Sequence, residues 1–408
     1  MPDDPLVVDP GGDVLRRLVG DPGRFADEFW GTAPLLRRGA WPSHLPLSLD
    51  DVDYLLTSTG LRWPAFRLVR EGTSLPTSSF TRSGRIGGQR VTDLVDGPRA
   101  MELFDEGATA VLQGLHRYHE PVARLCDDLE AALGHPVQAN AYLTPPGSRG
   151  LNVHHDTHDV LALQTHGHKH WVVHEPAVHA PLSSQPWSSD EHRPGPLVLD
   201  VDLAPGDLLY LPRGVPHAAE TVGEVSLHLT IGIRTVTWYD VVRTAADQLA
   251  DDATLRASLP LGYGEDPDAL VAEVGRRLRR AADGLVDVDA GEVVAGLLDG
   301  RRRQRRPARR GHLLELVGLD QIDDDTWIRR RDGLPVAMEA TDGHTALRLP
   351  DRDVLLPAAL SDLVGGLLDG RAHRVGDLAD RLDPDSRRVL VRRLVREGVL
   401  STRDAARD

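Results

Sequence analysis

Lysine, cysteine and aromatic residues are scarce in this chain of 408 residues. The single cysteine, Cys126, excludes an internal disulfide framework and suits a reducing cytoplasm; we expect a packed core thiol without a functional role. No apolar run approaches the roughly 18 residues that indicate a transmembrane helix. Residues 1–5 are acidic and lack the apolar centre of a signal peptide, so we expect a cytoplasmic protein.

Positive charge is also in deficit, because 62 acidic residues outnumber 47 basic ones and the formal net charge is −15. A surface of this sign disfavours a dedicated nucleic-acid binder. Residues 301–310 are the local exception: they are rich in arginine, and we interpret them as a linker at a domain boundary. The length exceeds what one hydrophobic core usually supports, so we expect two or three domains.

The basic residues are arginines with one exception, Lys169. Arginine and alanine dominate the composition, as a GC-rich coding bias would produce. A single lysine against that background indicates a specific need for an ammonium group. Lys169 lies within the histidine-rich stretch described below, which places it in the suspected site.

The residues between 137 and 235 predict short strands separated by turns. The turns carry Pro and Gly, as in residues 144–148 and 205–207. Strands are predicted for residues 137–143, 151–156, 160–165, 170–174, 197–203, 208–211 and 225–233. Many short strands with such turns are typical of an antiparallel sandwich or barrel.

Helical periodicity flanks this strand-rich part. Before it, the pattern predicts helices at 14–19, 21–30, 49–56 and 119–133, strands at 66–70 and 108–113, and a loop at 79–89. After it, the pattern predicts helices at 239–249, 269–278, 293–298, 358–368, 375–382 and 385–397, and strands at 326–336 and 345–349. The last two helices resemble a winged helix-turn-helix. The fold class is therefore α+β, with an N-terminal domain at 1–237, a helical block at 238–300 and a C-terminal domain at 311–408.

Eight of the 18 histidines fall between His154 and His179, so spacing has to select the functional ones. Side chains alternate along a strand, which puts His154 and Asp156 on one face and turns His155 away. Residues 205–217 supply a tight turn, a short apolar strand, a second turn and then His217. Two histidines and one carboxylate on one face of a metal form the facial triad of non-haem Fe(II) oxygenases.

Two other interpretations remain open. His154 and His158 have the spacing of a zinc site on a helix, but strand-like residues follow and no glutamate follows His154. A non-catalytic DNA-binding regulator would use the arginines of residues 386–397, although many acids accompany them. The extra histidines of the stretch receive no role; they are His158, His166, His168 and His170.

Residues 25–235 resemble the JmjC-type, cupin-fold 2-oxoglutarate oxygenases, specifically the ribosomal-oxygenase branch. The resemblance is carried by Phe29-Trp30, residues 34–37, residues 140–148, His154-His155-Asp156, Lys169-His170-Trp171 and residues 205–217. It implies a double-stranded β-helix with flanking helices, followed by a helical dimerisation block and a winged-helix-like domain with an accessory role.

The same resemblance implies the chemistry. His154, Asp156 and His217 would hold Fe(II), Lys169 would pair with the distal carboxylate of 2-oxoglutarate, and O₂ would be the second cosubstrate. Asn140 and Tyr142 match the cofactor-pocket strand of the family. Ser226 and Thr230 are in phase on the strand after His217 and are further pocket candidates.

The implied reaction is hydroxylation with release of succinate and CO₂. The first expected substrate is a side chain of a protein or peptide, with a ribosomal protein foremost. A natural-product peptide or a free amino acid is the alternative. A homodimer is the expected assembly.

Overall fold

The computed structural model describes residues 10–148, 150–305, 310–341 and 343–405. The chain divides into two compact units, Met1–Thr235 and Val236–Asp408. Residues 1–5, interpreted above as lacking a signal peptide, lie outside the described part of the chain, and so do residues 306–309 of the expected linker.

The first unit joins helices and an antiparallel barrel. Its helices are α1 Pro10–Val19, α2 Pro22–Glu28, α3 Leu49–Ser58, α4 Gly97–Asp105 and α5 Glu120–Leu133. Its strands are β1 Leu35–Arg37, β2 Phe66–Arg70, β3 Thr73–Ser74, β4 Thr81–Ile86, β5 Gln89–Val95, β6 Thr109–Leu112, β7 Val137–Thr144, β8 Asp159–His166, β9 Lys169–His174, β10 Leu197–Leu203, β11 Leu208–Leu211, β12 His217–Thr221 and β13 Ser226–Ile233. Most strands predicted between residues 137 and 235 are confirmed within one or two residues.

Two facing sheets make the barrel. Within the described residues the major sheet has the order β1-β11-β8-β13-β7-β6-β2-β3, and the minor sheet has the order β10-β9-β12. Strand β13 pairs antiparallel with both β7 and β8, which places it at the middle of the major sheet. This is the double-stranded β-helix of the cupin and JmjC folds, as the resemblance implied.

Strands β8 and β11 of the barrel are buried on both faces. Along β8, Val160 and Ala162 belong to the apolar cluster that fills the space between the sheets, together with Trp171 of β9. Leu161 and Leu163 belong to the cluster on the other face, which packs against helices α1 and α5. Each buried aliphatic side chain contributes about 1.5–3 kcal/mol to the free energy of folding. Burial on both faces therefore keeps the sheet rigid around the space between the two sheets.

Helix α5 shows how the flanking helices attach. Pro121 stands in its first turn, and Gly134 ends it with a φ of 77°. The stripe of Val122, Leu125 and Leu129 is buried, as predicted, and Cys126 is a buried core thiol beside it. Burial raises the pKa of that thiol, so it is an unreactive packing residue.

The predicted loop at residues 79–89 is wrong, because β4 and β5 form a hairpin there. The turn is Gly87-Gly88, with φ values of 54° and 81°. Two consecutive residues with positive φ are the requirement of a tight two-residue hairpin turn, and glycine meets it without strain. Leu35–Arg37 forms strand β1, which the sequence pattern did not predict.

The second unit contains helices and two small sheets. Its helices are α6 Trp238–Gln248, α7 Pro267–Val286, α8 Ala290–Gln304, α9 His312–Val317, α10 Ser361–Leu367 and α11 Pro384–Arg396. Its strands are β14 Trp327–Arg330, β15 Ala337–Thr341, β16 His344–Arg348, β17 Asp353–Pro357, β18 His373–Arg374 and β19 Leu400–Ser401, in the orders β18-β14-β19 and β15-β16-β17. The predicted helix at 375–382 is a short 3₁₀ segment, Val375–Asp380. The winged-helix assignment stays a prediction.

The expected linker at residues 301–310 is wrong over its first four residues, which are the last turn of α8. Arginine has a high helix propensity, and cations are favoured at a helix C-terminus, so this arginine run extends the helix. Arg302 is buried and donates to the carbonyl of Leu349 in the same unit.

The arginines of α11 have contacts within their own unit. Arg387 and Arg388 both pair with Asp324, and Arg392 donates to the carbonyls of Asp320 and Ile322. Arg393 donates to the carbonyl of Leu355. The positive charge that favoured a DNA-binding interpretation therefore holds this unit together. Among the described residues, no helix has the length and apolar character needed to cross a bilayer.

Candidate metal centre

The predicted strand at residues 151–156 is wrong, because the segment is irregular and touches the sheet at one residue only. His154 forms an isolated antiparallel bridge with His217: each backbone N–H donates to the other residue's carbonyl, over 3.1 and 2.8 Å. The carbonyl of Asp156 accepts from the N–H of Gly214 at 2.9 Å. Backbone hydrogen bonds at His154 and at Asp156 thus fix this segment to the start of β12 and to the turn before it. They replace the continuous hydrogen bonding of a strand pair.

The alternation of side chains survives without the strand. His154, Asp156 and His217 each offer a ligand atom, and these atoms all lie within 4.8 Å of one another. His155 points the other way: it is buried, its ring lies edge-on to that of Trp187 at 5.3 Å, and its Nε2 contacts the carbonyl of Gln185 at 3.3 Å. The three residues selected from the sequence are therefore together, and the rejected histidine is apart from them.

Backbone carbonyls fix the orientation of both ligand histidines. Nδ1 of His154 contacts the carbonyl of Asn152 at 2.8 Å, and Nδ1 of His217 contacts the carbonyl of Val215 at 3.0 Å. A proton held on Nδ1 leaves the Nε2 lone pair free, which is the usual outer hydrogen bond of a metal-binding histidine. Nε2 of His217 lies 3.8 Å from Oδ2 of Asp156, so both atoms face one point.

Burial keeps the distal histidine uncharged. It lowers the pKa of His217, and the neighbouring His154 lowers it further. A neutral imidazole is the form that binds a metal. Two imidazole nitrogens and one carboxylate, with coordination positions left open, fit a divalent first-row metal of the facial-triad type.

Lys169 lies in the same cavity, in strand β9, and its side chain is almost fully buried. Its Nζ donates to Oγ1 of Thr144 at 2.8 Å. Burial lowers the pKa of Lys169 to about 7, and no carboxylate contributes to that shift. Among the described residues no anion pairs with this ammonium, so its buried position beside a hydroxyl is a site for an anionic group supplied by a ligand.

The side chain of Tyr142, in β7, forms part of the wall of the cavity that contains the triad and Lys169. Its ring stacks on that of His228 at 5.0 Å, almost parallel. Burial raises the pKa of Tyr142, so the phenol stays protonated, and Arg67 hydrogen-bonds to it from the side. Burial holds the pKa of His228 well below its usual value, with Lys169 and His217 adding to the effect. Both rings are thus neutral walls.

The remaining predicted pocket residues divide into two groups. Thr230 lines the cavity, as does Tyr142. Asn140 is engaged elsewhere, because its Oδ1 accepts from the N–H of Gly114 at 2.9 Å. Ser226 is fully buried and its Oγ accepts from Nε2 of Gln164 at 2.9 Å. Neither side chain is part of the cavity lining.

Several lining residues escaped the selection of site residues from the sequence, among them Thr144, Trp171 and His228. Each stands two positions from a residue that was selected, and a period of two is the signal of a shared strand face. Thr144 follows Tyr142, Trp171 follows Lys169, and His228 lies between Ser226 and Thr230. The phase was present in the sequence, but it does not say how far along a face a cavity extends.

A family model for the JmjC domain matches residues 113–241. The chain carries a JmjC domain. Among curated proteins, mouse ribosomal oxygenase 2 is 36% identical over 194 residues, covering 45% of this chain and 41% of that protein. Chicken ribosomal oxygenase 1 is 30% identical over 267 residues, covering 62% and 43%. The mosquito Aedes aegypti protein named bifunctional lysine-specific demethylase and histidyl-hydroxylase NO66 is 30% identical over 218 residues, covering 51% and 32%.

Over the matched residues the chain is similar to ribosomal oxygenases, and it spans about two fifths, or less, of the length of the first curated relatives that it matches. The crystal structure of the Escherichia coli ribosomal oxygenase YcfD superposes with a TM-score of 0.55 at 16% identity, covering 94% of this chain and 98% of that one. A structure of YcfD in complex with cobalt and 2-oxoglutarate gives a TM-score of 0.53 at 17% identity, covering 93% and 97%. At this identity the likeness shows the fold.

Proposed function

We propose that this chain is an Fe(II)- and 2-oxoglutarate-dependent hydroxylase that acts on a side chain of a protein or peptide, with a ribosomal protein as the first candidate. One observation carries the proposal: the His154, Asp156 and His217 triad and the buried, anion-free ammonium of Lys169 line the same cavity. A cation end and an anion end in one cavity suit a ligand that both chelates a metal and carries a second carboxylate.

His154, Asp156 and His217 would hold the iron through two Nε2 atoms and a carboxylate oxygen. The bound metal and its two cosubstrates supply the oxidising chemistry, in which 2-oxoglutarate and O₂ yield succinate, CO₂ and one oxygen atom for the substrate. The backbone carbonyls of Asn152 and Val215 keep the two imidazoles aimed. The chain's contribution is therefore ligation, orientation and shielding.

Lys169 would bind the distal carboxylate, with Oγ1 of Thr144 holding the ammonium in place. Strand alternation puts Lys169 and Trp171 on the inner face of β9, so the carboxylate end is closed by a large apolar ring. The stacked pair Tyr142 and His228 lines the same cavity, and the His228 ring lies edge-on to that of Trp171 at 5.5 Å. Burial of this kind excludes water, which strengthens the charge pair that a bound carboxylate would make.

The substrate class rests on the likeness to ribosomal oxygenases. The similar proteins include one named ribosomal oxygenase and one named histidyl-hydroxylase, which supports a protein side chain over a free amino acid. The DNA-binding alternative loses its support, since most of the arginines of α11 contact residues of their own unit.

The test is conversion of 2-oxoglutarate to succinate under Fe(II), followed by mass spectrometry of ribosomal proteins for the addition of one oxygen atom. We expect His154→Ala to abolish conversion and Arg392→Ala, which lies in the second unit, to leave it unchanged. Conversion that persists in His154→Ala overturns the proposed metal centre. Conversion without a modified protein or peptide overturns the substrate class.

We also propose that the chain forms a homodimer through α6, α7 and α8. Helix α7 has no buried residue along its 20 positions, and its apolar residues Val271 and Leu278 are 69% and 65% exposed. Trp238 of α6 is 85% exposed. Apolar residues clustered in this way usually mark an interface. Light scattering should give twice the chain mass for the protein, and the chain mass alone for Leu278→Glu.

A further inference from the structure

His158 is a histidine of the stretch to which the proposed function gives no role. Its ring packs flat against Gly232 of β13: a Cβ placed on that glycine would lie 2.7 Å from Cδ2 and Nε2 of the imidazole. Nδ1 of His158 is buried and has no hydrogen-bond partner among the described residues. It lies 4.0 Å from Oδ1 of Asp156.

The two oxygens of Asp156 face in different directions. Oδ2 lies 3.8 Å from Nε2 of His217, at the point where the ligand atoms converge. Oδ1 faces Nδ1 of His158. A carboxylate that binds a metal through Oδ2 therefore presents its second oxygen to a buried ring nitrogen that lacks a hydrogen-bond partner among the described residues.

We propose that His158 is a positioning residue for the metal centre, whose Nδ1–H hydrogen-bonds to Oδ1 of Asp156 and holds that carboxylate in a one-oxygen binding mode. This inference rests on the metal centre of the proposed function. Closing the gap from 4.0 Å to hydrogen-bond distance takes a small rotation of the carboxylate, whose terminal torsion is broad and soft.

The physical reason is the cost of one unsatisfied buried group. A buried ring N–H without an acceptor is unfavourable, and a hydrogen bond to Oδ1 of Asp156 satisfies it. Partners of this kind around metal ligands fix the geometry of the ligand, and their loss usually lowers metal affinity by about 10–100-fold. His158 follows Asp156 by two residues, so the partner and the ligand are held by the same pinned segment.

Gly232 belongs to the same arrangement, because its missing side chain leaves room for the His158 ring. Glycine inside a strand is unfavourable unless another group approaches the backbone closely, and here the approaching group is the His158 ring. Replacement of Gly232 by alanine should displace the ring and so act on the metal through His158. The effect should disappear in a chain that has no ring at residue 158.

The experiment measures the dissociation constant of Mn²⁺ by calorimetry in the full chain, without turnover. His158→Phe keeps a flat ring on Gly232 and removes the donor, and we expect affinity to fall by about 10–100-fold. His158→Asn places an amide N–H close to where Nδ1 stands, and we expect recovery to within about threefold of the natural protein. His158→Gln places its amide near Nε2 instead, and we expect no recovery.

A matched control and a double-mutant cycle sharpen the test. His170→Phe changes a half-buried histidine whose Nδ1 contacts Asp202 at 2.7 Å, and we expect unchanged Mn²⁺ affinity. Gly232→Ala should weaken Mn²⁺ binding in the natural chain and have no further effect in His158→Ala. Circular dichroism of the metal-free variants checks that each is folded.

The outcomes separate this inference from the proposed function. The metal centre and this inference are both wrong if the natural protein fails to bind Mn²⁺. They are also both wrong if the His154→Ala variant binds Mn²⁺ as tightly as the natural protein does. If the natural protein binds Mn²⁺ and His158→Phe binds it as tightly, this inference alone is wrong. If His158→Asn and His158→Phe are weakened equally while folded, the ring has a packing role only and the hydrogen bond is wrong.

Discussion

The two ends of the barrel cavity hold their polar groups in opposite ways. At the metal end, the side chains of His154 and Asp156 are partly exposed, and backbone contacts pin the segment. At the other end, Lys169 is almost fully buried and a single neutral hydroxyl, that of Thr144, accepts from it. The first end offers the carboxylate of Asp156 to a cation, and the second end offers the ammonium of Lys169 to an anion. The difference indicates one ligand bound across both ends with the metal, and the following predictions test the two ends separately.

The largest effect should come from the metal end. His154→Ala removes one of the three ligands, and we expect turnover of 2-oxoglutarate to fall by about a thousandfold or more, equivalent to about 4 kcal/mol. The measurement is succinate formation under saturating Fe(II). The folded state of the variant should be unaffected, because His154 is partly exposed. Turnover within about tenfold of the natural protein would contradict the ligand assignment.

The next effect should come from the lysine end and should leave the metal untouched. Lys169→Met removes the ammonium, and the loss of a buried charge partner of about 2–5 kcal/mol should raise the KM for 2-oxoglutarate by about 30-fold or more. Mn²⁺ affinity should stay the same. The variant should also unfold at a higher temperature without ligand, because Lys169 is buried and no carboxylate pairs with it. A lower melting temperature would show that the ammonium is already stabilised in the empty cavity.

The pH dependence should distinguish the two ends as well. The pKa of Lys169 is lowered to about 7 by burial, and a bound carboxylate raises it. Since the ligand binds the charged form, affinity for 2-oxoglutarate should be complete below about pH 7 and should fall by up to about tenfold per pH unit above it. Calorimetry between pH 6 and pH 9 checks this slope in roughly half-unit steps. Lys169→Met should show no such fall.

The smallest effects should come from the residues that the structure places off the lining. Asn140→Ala and Ser226→Ala should leave the KM for 2-oxoglutarate within about twofold, because their oxygens accept from Gly114 and Gln164. Ser226→Ala should still cost about 1 kcal/mol of unfolding free energy, since it leaves the buried amide of Gln164 with one partner fewer. A large change in KM would return these residues to the cosubstrate pocket. Tyr142→Phe, on the lining itself, supplies the positive comparison.

The metal end was predictable because its signal is short-range. The alternation of His154, His155 and Asp156 holds in the structure although the expected strand does not form, since one bridge and one backbone hydrogen bond keep the segment extended. Lys169 was predictable by composition, as the one lysine of the chain. The barrel itself follows from short strands and Pro/Gly turns.

What the sequence failed to predict depends on contacts between distant residues. Asn140 has the right phase on β7, but only the fold shows that the N–H of Gly114 occupies its oxygen. Residues 301–304 have the composition of a linker, and the helix propensity of arginine decides otherwise. The composition of residues 79–89 predicted a loop, whereas two positive φ angles at Gly87-Gly88 make the turn of a hairpin.

The most direct test of the whole account is calorimetric titration of 2-oxoglutarate into the Mn²⁺-loaded protein and into the metal-free protein. We expect one molecule to bind per chain, with tight binding only when the metal is present and Lys169 is intact, because the two ends act on one ligand. Equal binding with and without the metal, or equal binding in Lys169→Met, would contradict the claim that the cavity joins a cation site to an anion site.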